Sequence, residues 1–476
     1  MVKITQIESI HYKKFERMLN SFERRFFRAP NQIISLVARV KGLISEEDLR
    51  ISLDKVRQQH PLLGVRIYLD ENNDAWYTTE NVPENQLRIV ERTSESDWNR
   101  ELSKEYGIRF ELGTGPLVRF VLLQSEEISE IIIVCHHVIC DGTSLTILAR
   151  DILMYLGDAN RDVQEMQEPP LATSENFQSE INLGKAMQFA IKKMNSIWGK
   201  DKVVFDDEDE DNLFKAFLDA YTFKIITVEL NENETSLFVE KCRQNEVTVN
   251  SALNMAFLAA HSSILSPFKG GKQNVMVPVN TRNRYKKPVG ENFGLYVAGF
   301  QFKITNNPKK NFWENAKMFD KGLKDNLNID KIFKFAALTE LIDPSLVDAR
   351  NFSFFGKKVP SDYSRYEKIH AFSTNEKNIV NKRAKKQIPK LPGLAITNLG
   401  QMDYPTKYGS LELDRFIFIT SATPFIELVI PVVTVAGKLT FTINYLEETT
   451  DTSTMKKIKD KALEYIELAE YKESAN

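Results

Sequence analysis

Cysteine is scarce: Cys135, Cys140 and Cys242 are the only three in 476 residues. An odd, sparse set without CxxC spacing argues against a disulfide framework and against a structural zinc site. A dominant charge is missing too. There are 63 basic and 65 acidic residues, and the net charge of −2 gives no electrostatic reason to expect nucleic acid or an anionic membrane as partner. No run of about eighteen apolar residues occurs, so no membrane-spanning helix is expected. The opening stretch MVKITQIESIHYKKFERML is charged throughout and has no apolar centre like that of a secretory signal. A reduced, cytoplasmic setting and a monomer are the expectations.

What is present is an ordinary globular composition, 42% hydrophobic and 27% charged, in a chain long enough for two domains. Helical and strand patterns alternate along it. Ser45 stands three residues before Asp48 as an N-cap, Leu49, Leu53 and Val56 share one helical face, and Pro61 ends the pattern. VRIYLDENNDAWYTT predicts two strands around a polar turn. GTGPLVRFVLLQ and SEIIIVCHH predict two more, and Leu145, Leu148, Ala149, Ile152, Leu153 and Leu156 predict a helix. From about 157 to 215 the periodicity loosens, and DDEDED at 206–211 predicts a solvated acidic loop, because like charges repel.

The second half restarts with a strand at 223–230 and a helix opened by Thr248. Strands follow, including one ending at Asn280 and a final hairpin turning at Ala436 and Gly437. The division expected is an N-terminal lobe over 1–180, a linker over 181–215 and a C-terminal lobe over 216–476. The fold class expected is α/β (α+β), with a mixed sheet flanked by helices in each lobe.

Only six histidines occur, yet two are adjacent in HHVICDG, residues 136–142. A strand that ends in a polar pair and turns at Asp-Gly sets those side chains at a sheet edge or crevice. Strand alternation directs His136 and His137 to opposite faces, so one is expected to be structural and the other free. Gly142 is expected to supply a positive φ, with Thr143 or Ser144 capping the next helix. Three other readings compete with a catalytic histidine: ordinary polar residues at a strand end, a metal site, and a binding lobe without chemistry. The metal reading lacks converging ligands, since only the two histidines and Asp141 cluster. Cys135 lies in an apolar run, poorly suited to a reactive thiolate, and Cys140 follows close by.

All seven positions of HHVICDG resemble the HHxxxDG acyltransferase superfamily. That superfamily includes condensation domains of peptide synthetases, polyketide-associated acyltransferases, alcohol acetyltransferases and chloramphenicol acetyltransferase. HPLLGVRI (60–67), GPLVRF (115–120), VPVNTRNRYKKPVGENFGLYV (277–297) and ITNLGQMD (396–403) are similar to further family segments, so the resemblance is scattered from about residue 10 to 450. It implies two chloramphenicol-acetyltransferase-like lobes around a tunnel, with His137 as general base at its centre. Asp141 would be structural, ordering the loop by pairing with Arg282, or with Arg284 as the alternative. His136 would be buried scaffold, Gly142 would give the substrate clearance, and Asn398 would be a polar tunnel contact or a strand end.

The resemblance implies acyl transfer from a CoA or carrier-protein thioester to a small alcohol or amine, with no permanently bound cofactor and no metal. The acyl-CoA or acyl-phosphopantetheine donor is a substrate. The plant acyltransferase signature DFGWG is absent, and no carrier or adenylation segment is recognisable, so a stand-alone enzyme is expected. NKRAKKQIPK (381–390) is read as an exposed loop, with docking of an acidic carrier or of coenzyme A phosphates as the alternative. The rival function is a catalytically inactive protein of the same shape that binds an acyl ligand or a carrier domain.

Overall fold

A computed structural model of the chain describes residues 14–265, 273–388 and 391–467. The first 13 residues of the charged opening stretch, residues 266–272, the last two of the basic stretch and residues 468–476 lie outside the described residues.

Two six-stranded sheets organise the chain. In spatial order the first holds Lys407–Tyr408, Leu411–Thr420, Ile33–Lys41, Ile128–His136, Val118–Gln124 and Gln86–Glu91. The second holds Val297–Ile304, Gln273–Asn280, Leu394–Met402, Leu428–Val435, Lys438–Leu446 and Phe223–Glu229. The pair around the polar turn, Arg66–Leu69 and Ala75–Thr78, joins Glu16–Met18 in a small third sheet. Each large sheet is mixed. Gln86–Glu91 runs parallel to Val118–Gln124 in the first, and Leu394–Met402 runs parallel to both its neighbours in the second.

Ile128–His136 lies in the interior of the first sheet, hydrogen-bonded on both edges. Ile131 through Cys135 are each at most 1% exposed. Alternate side chains point to opposite faces, so near-zero exposure at five successive positions means that both faces are covered. That is why the segment reads as an unbroken apolar run. The helices Glu46–Gln59 and Gly142–Gly157 pack together in this lobe, and the first is capped by Ser45 as its sequence predicts. In the second lobe the helix Val249–Ile264, capped by Thr248, packs between Phe312–Asn326 and Thr452–Tyr465.

The acidic run is not a loop. Asp206 caps a helix over Asp207–Ala220, and it exchanges reciprocal bonds with Asp209, whose N–H reaches the Asp206 carboxylate at 3.0 Å. Carboxylates favour a helix N-terminus, where backbone N–H groups lack partners. Cations relieve the repulsion: Lys368 binds Asp209, and Arg28 lies 3.4 Å from Glu210. The expected linker also contains the helix Lys185–Trp198. Both helices pack against Pro344–Phe355 and Tyr366–Thr374 in a third apolar cluster, where Phe205 stacks on Phe352 at 3.7 Å. Residues 381–387 of the basic stretch are likewise helical, within Ile379–Gln387, with Val380 and Ala384 turned inward.

The first sheet is not built from the first half of the chain alone. Leu411–Thr420 crosses over and pairs antiparallel with Ile33–Lys41. Its backbone is then held from the second sheet: Thr442 Oγ1 donates to the Phe418 carbonyl at 2.9 Å, and Asn444 Nδ2 to that of Thr420 at 2.8 Å. Arg415 pairs with Glu229 at 2.7 Å, and Lys438 with Asp414 at 2.5 Å, across the same junction. Asn444 is fully buried, so Asn444→Ala strips a carbonyl of its donor where water does not replace it easily. The expected result is a loss of about 1–3 kcal/mol in urea unfolding, with faster amide exchange concentrated in residues 411–420. Unchanged exchange there would mean that the crossing strand is held without this bond.

Candidate active site

The ladder that carries Ile128–His136 stops because the chain turns out of the sheet, and the N–H groups of residues 137–139 are each bonded. The His137 N–H donates to the Gln32 carbonyl at 2.8 Å, the Val138 N–H to His136 Nδ1 at 3.2 Å, and the Ile139 N–H to the His136 carbonyl at 3.2 Å. Tyr77 donates its hydroxyl to the Val138 carbonyl at 2.8 Å. A buried turn with its polar groups paired holds one shape, and this one aims the two imidazoles differently.

His136 is buried edge-on to Phe110, and burial pushes its pKa down to about 3, helped by His137 and Arg119. Because its Nδ1 accepts a bond from Val138, its proton sits on Nε2. His137 is only half-buried and lies against the Phe26 ring at 4.4 Å. Its Nδ1 is 2.7 Å from the Cys140 carbonyl. A carbonyl only accepts, so Nδ1 carries the proton and the Nε2 lone pair is free. Desolvation lowers the pKa of His137; the Cys140 carbonyl and Asp141 pull the other way, and Arg25 adds to the lowering. The result is a neutral imidazole with one basic nitrogen, in a tautomer set by backbone.

Asp141 does not touch His137. It caps the helix Gly142–Gly157, accepting the Ser144 N–H at 2.8 Å. Arg282 Nη1 donates to both its oxygens, at 2.9 and 3.2 Å, and the Tyr296 N–H adds a bond at 2.7 Å. Arg282 Nη2 binds Ser144 Oγ at 2.7 Å, and that hydroxyl donates to the Gly294 carbonyl at 2.6 Å. Asn280 orders the same corner by accepting the Arg282 N–H at 3.0 Å. The chain therefore brings Asp141 to Arg282, 141 positions later. Arg284 instead offers its backbone carbonyl to the Gln178 N–H.

Three expectations are corrected. Asp141 is the cap, rather than Thr143 or Ser144, because its carboxylate reaches the third N–H of the helix. Gly142 does not adopt a positive φ. Its small size makes room for protein instead: a Cβ there would come within 2.5 Å of the Phe418 ring and 2.8 Å of Leu399. Asn398 does not end its strand. It accepts the Gly400 N–H at 2.8 Å, inside a register shift between Asn398 and Gln401. Both active-region cysteines are buried, and burial pushes the Cys140 thiol well above its usual range, which makes it a poor nucleophile. No group of three or more His, Cys, Asp or Glu side chains among the described residues could hold a metal ion. Sequence reasoning missed Phe26 and Arg25; the signal available was the dense FERRFFR stretch, 22–28.

The condensation-domain family model matches residues 29–330. A linear gramicidin synthase from Brevibacillus parabrevis is 29% identical over 149 residues, covering 29% of this chain and 3% of that protein. The chain thus spans only a small fraction of the length of the curated relatives it matches. Among solved structures, TRI3 trichothecene 15-O-acetyltransferase from Fusarium sporotrichioides superposes with a TM-score of 0.64 at 14% identity, over 96% of this chain and 95% of that one. Polyketide synthase associated protein 5 from Mycobacterium tuberculosis gives 0.58 at 14% identity, over 96% and 98%. At these identities the likeness is one of fold, two lobes of mixed sheet and helix.

Arg282 and Asp141 are 6% and 4% exposed, so removing one leaves a buried charge unpaired. Arg282→Gln is expected to destabilise the protein by about 3–5 kcal/mol. The double variant Arg282→Gln with Asp141→Asn should lose far less than the two single losses added together. Additive losses in denaturant unfolding would show that the pair is not coupled.

Proposed function

Since the chain belongs to the condensation-domain family, we propose that it is an acyltransferase in which His137 is the general base. The single observation that carries this reading is the bond from Nδ1 to the Cys140 carbonyl, which leaves Nε2 unprotonated. The donor in this reading is a thioester, on coenzyme A or on the phosphopantetheine arm of a carrier protein, and the acceptor is a small alcohol or amine. Nε2 takes the acceptor proton as its oxygen or nitrogen attacks the thioester carbonyl. The tetrahedral intermediate collapses by breaking the C–S bond, and the imidazolium returns its proton to the leaving thiolate. No acyl-enzyme forms, which agrees with the high pKa of Cys140.

Asp141 acts in this scheme by position alone. With its oxygens occupied by Ser144, Arg282 and Tyr296, it holds the turn that aims His137. His136 fixes the same turn through Val138. Among the described residues no carboxylate is hydrogen-bonded to His137, so the charge of the imidazolium formed in the transition state is stabilised at longer range by Asp141 and locally by the Cys140 carbonyl.

Thiol release from a panel of acyl-CoA and acyl-carrier donors tests the assignment. His137→Ala is expected to lower kcat by roughly 10²–10⁴-fold, the usual contribution of a general base. Because the folded pKa of His137 is lowered, its neutral form persists below the ordinary histidine value of about 6.5. Activity should therefore hold through a pH of about 6.5 and fall only as the pH drops past the depressed pKa. Release that is untouched by His137→Ala would overturn the general-base assignment, and no release from any donor would favour the inactive, ligand-binding alternative.

A further inference from the structure

Two arginines at one helix crossing, Arg25 and Arg350, have no counterion among the described residues. The helix Ser21–Phe27 crosses Pro344–Phe355, and one pair at the crossing is conventional: Arg24 donates a two-pronged fork to Asp348, at 2.9 and 2.5 Å. Their neighbours differ. The Nε atoms of Arg25 and Arg350 are buried without a hydrogen-bond partner, and among the described residues neither side chain has an ion pair. Asp348, the carboxylate at this crossing, is already engaged by Arg24. Each guanidinium feels the loss of solvent, and Arg350 also repels Arg25, whose pKa is pushed down to about 9.

Aromatic rings account for part of this arrangement. Arg25 lies 4.2 Å from the Phe335 ring, 5.0 Å from Phe22 and 5.8 Å from Phe26, and Arg350 lies 5.2 Å from Phe354. A ring attracts a cation across its face, but the N–H donors of a guanidinium point outward in its plane and are not satisfied by such a contact. Both arginines keep some accessible surface, and Phe335 is 45% exposed, so the cluster is open to solvent on that side. On the other side Phe26 rests on His137 at 4.4 Å. The Arg25 guanidinium therefore stands no farther from the imidazole than its distance to Phe26 and that contact laid end to end.

We propose that Arg25 and Arg350 together receive a carboxylate carried by one of the two substrates, so that the reaction selects an acyl group or an acceptor bearing that charge. The inference rests on the acyltransfer reading above, which supplies the substrates. A planar carboxylate matches the guanidinium fork and supplies the missing counter-charge. The donor's own phosphate fits poorly, because a pantetheine arm has the length of about four extended residues, roughly 14 Å, and would carry it past this site when its sulfur is at His137.

The test is calorimetric titration of the full chain with glutarate, with its neutral diamide glutaramide, and with inorganic phosphate. Glutarate is expected to bind, glutaramide is not, and Arg25→Gln and Arg350→Gln should each weaken glutarate by about tenfold or more, the scale of a charge-assisted pair. His137→Ala should bind glutarate like the wild type. Thiol release then locates the charge, comparing glutaryl-CoA with hexanoyl-CoA as donors and 6-hydroxyhexanoate with 1,6-hexanediol as acceptors; preference for the charged member in either pair supports the site. Glutarate binding that is absent or indifferent to both arginine variants, tighter binding of phosphate at the same residues, or no preference in either pair would overturn it. Thiol release insensitive to His137→Ala with glutarate binding intact would sink the reaction scheme and leave the carboxylate site standing.

Discussion

The position of the whole site depends on one buried carboxylate. Asp141 accepts from the Ser144 N–H, from Arg282 Nη1 through both its oxygens, and from the Tyr296 N–H. The first of these starts the helix Gly142–Gly157; the others come from the far lobe. A buried charge is costly unless its lone pairs are filled, and here they are filled by the helix it starts and by the 282–296 segment of the other lobe. The histidine turn thus cannot shift without unsettling the contact between the lobes. Saturation also settles what Asp141 does not do: its oxygens are already engaged elsewhere and do not orient an imidazole.

That division gives His137 an unusual support. In a triad a carboxylate holds the imidazole and stabilises the cation it becomes. Here a backbone carbonyl of the turn does the holding, and a nearby guanidinium, Arg25, disfavours the cation. In the proposed reaction such a base would give up strength in return for staying neutral over a wider pH range. The arrangement suits a thioester, whose leaving thiolate is a much better departing group than an amine or alkoxide and needs less assistance.

Local signals in the sequence were legible where their cause was local. Ser45 and Thr248 cap the helices their spacing predicts, Ala436 and Gly437 turn the last hairpin with positive φ, and the HHVICDG run marks the strand end. The resemblance of that run to a known superfamily carried the Asp141 and Arg282 pairing, which no spacing could reveal across 141 positions. Failures came where distant partners decide. DDEDED reads as a self-repelling loop until Arg28 and Lys368 neutralise it, and those cations lie 182 positions before Glu210 and 159 after Asp209. Gly142 reads as a positive-φ turn residue until Phe418 arrives on the crossing strand. No periodicity places Leu411–Thr420 in the first sheet, since its alternation satisfies either sheet equally.

The contrast between Arg24 and Arg25 extends the same reasoning. Adjacent in sequence, on one short helix, they meet the same neighbouring helix, yet Asp348 completes one and no carboxylate among the described residues completes the other. A scaffold that only needed to fasten its lobes would gain nothing from two further, half-buried cations, because a desolvated guanidinium opposes folding unless paired. The energetic cost falls near His137, the one side chain of the histidine pair that is neither buried scaffold nor fully bonded. Under the carboxylate proposal these donors, left without a partner among the described residues, receive one when the substrate binds.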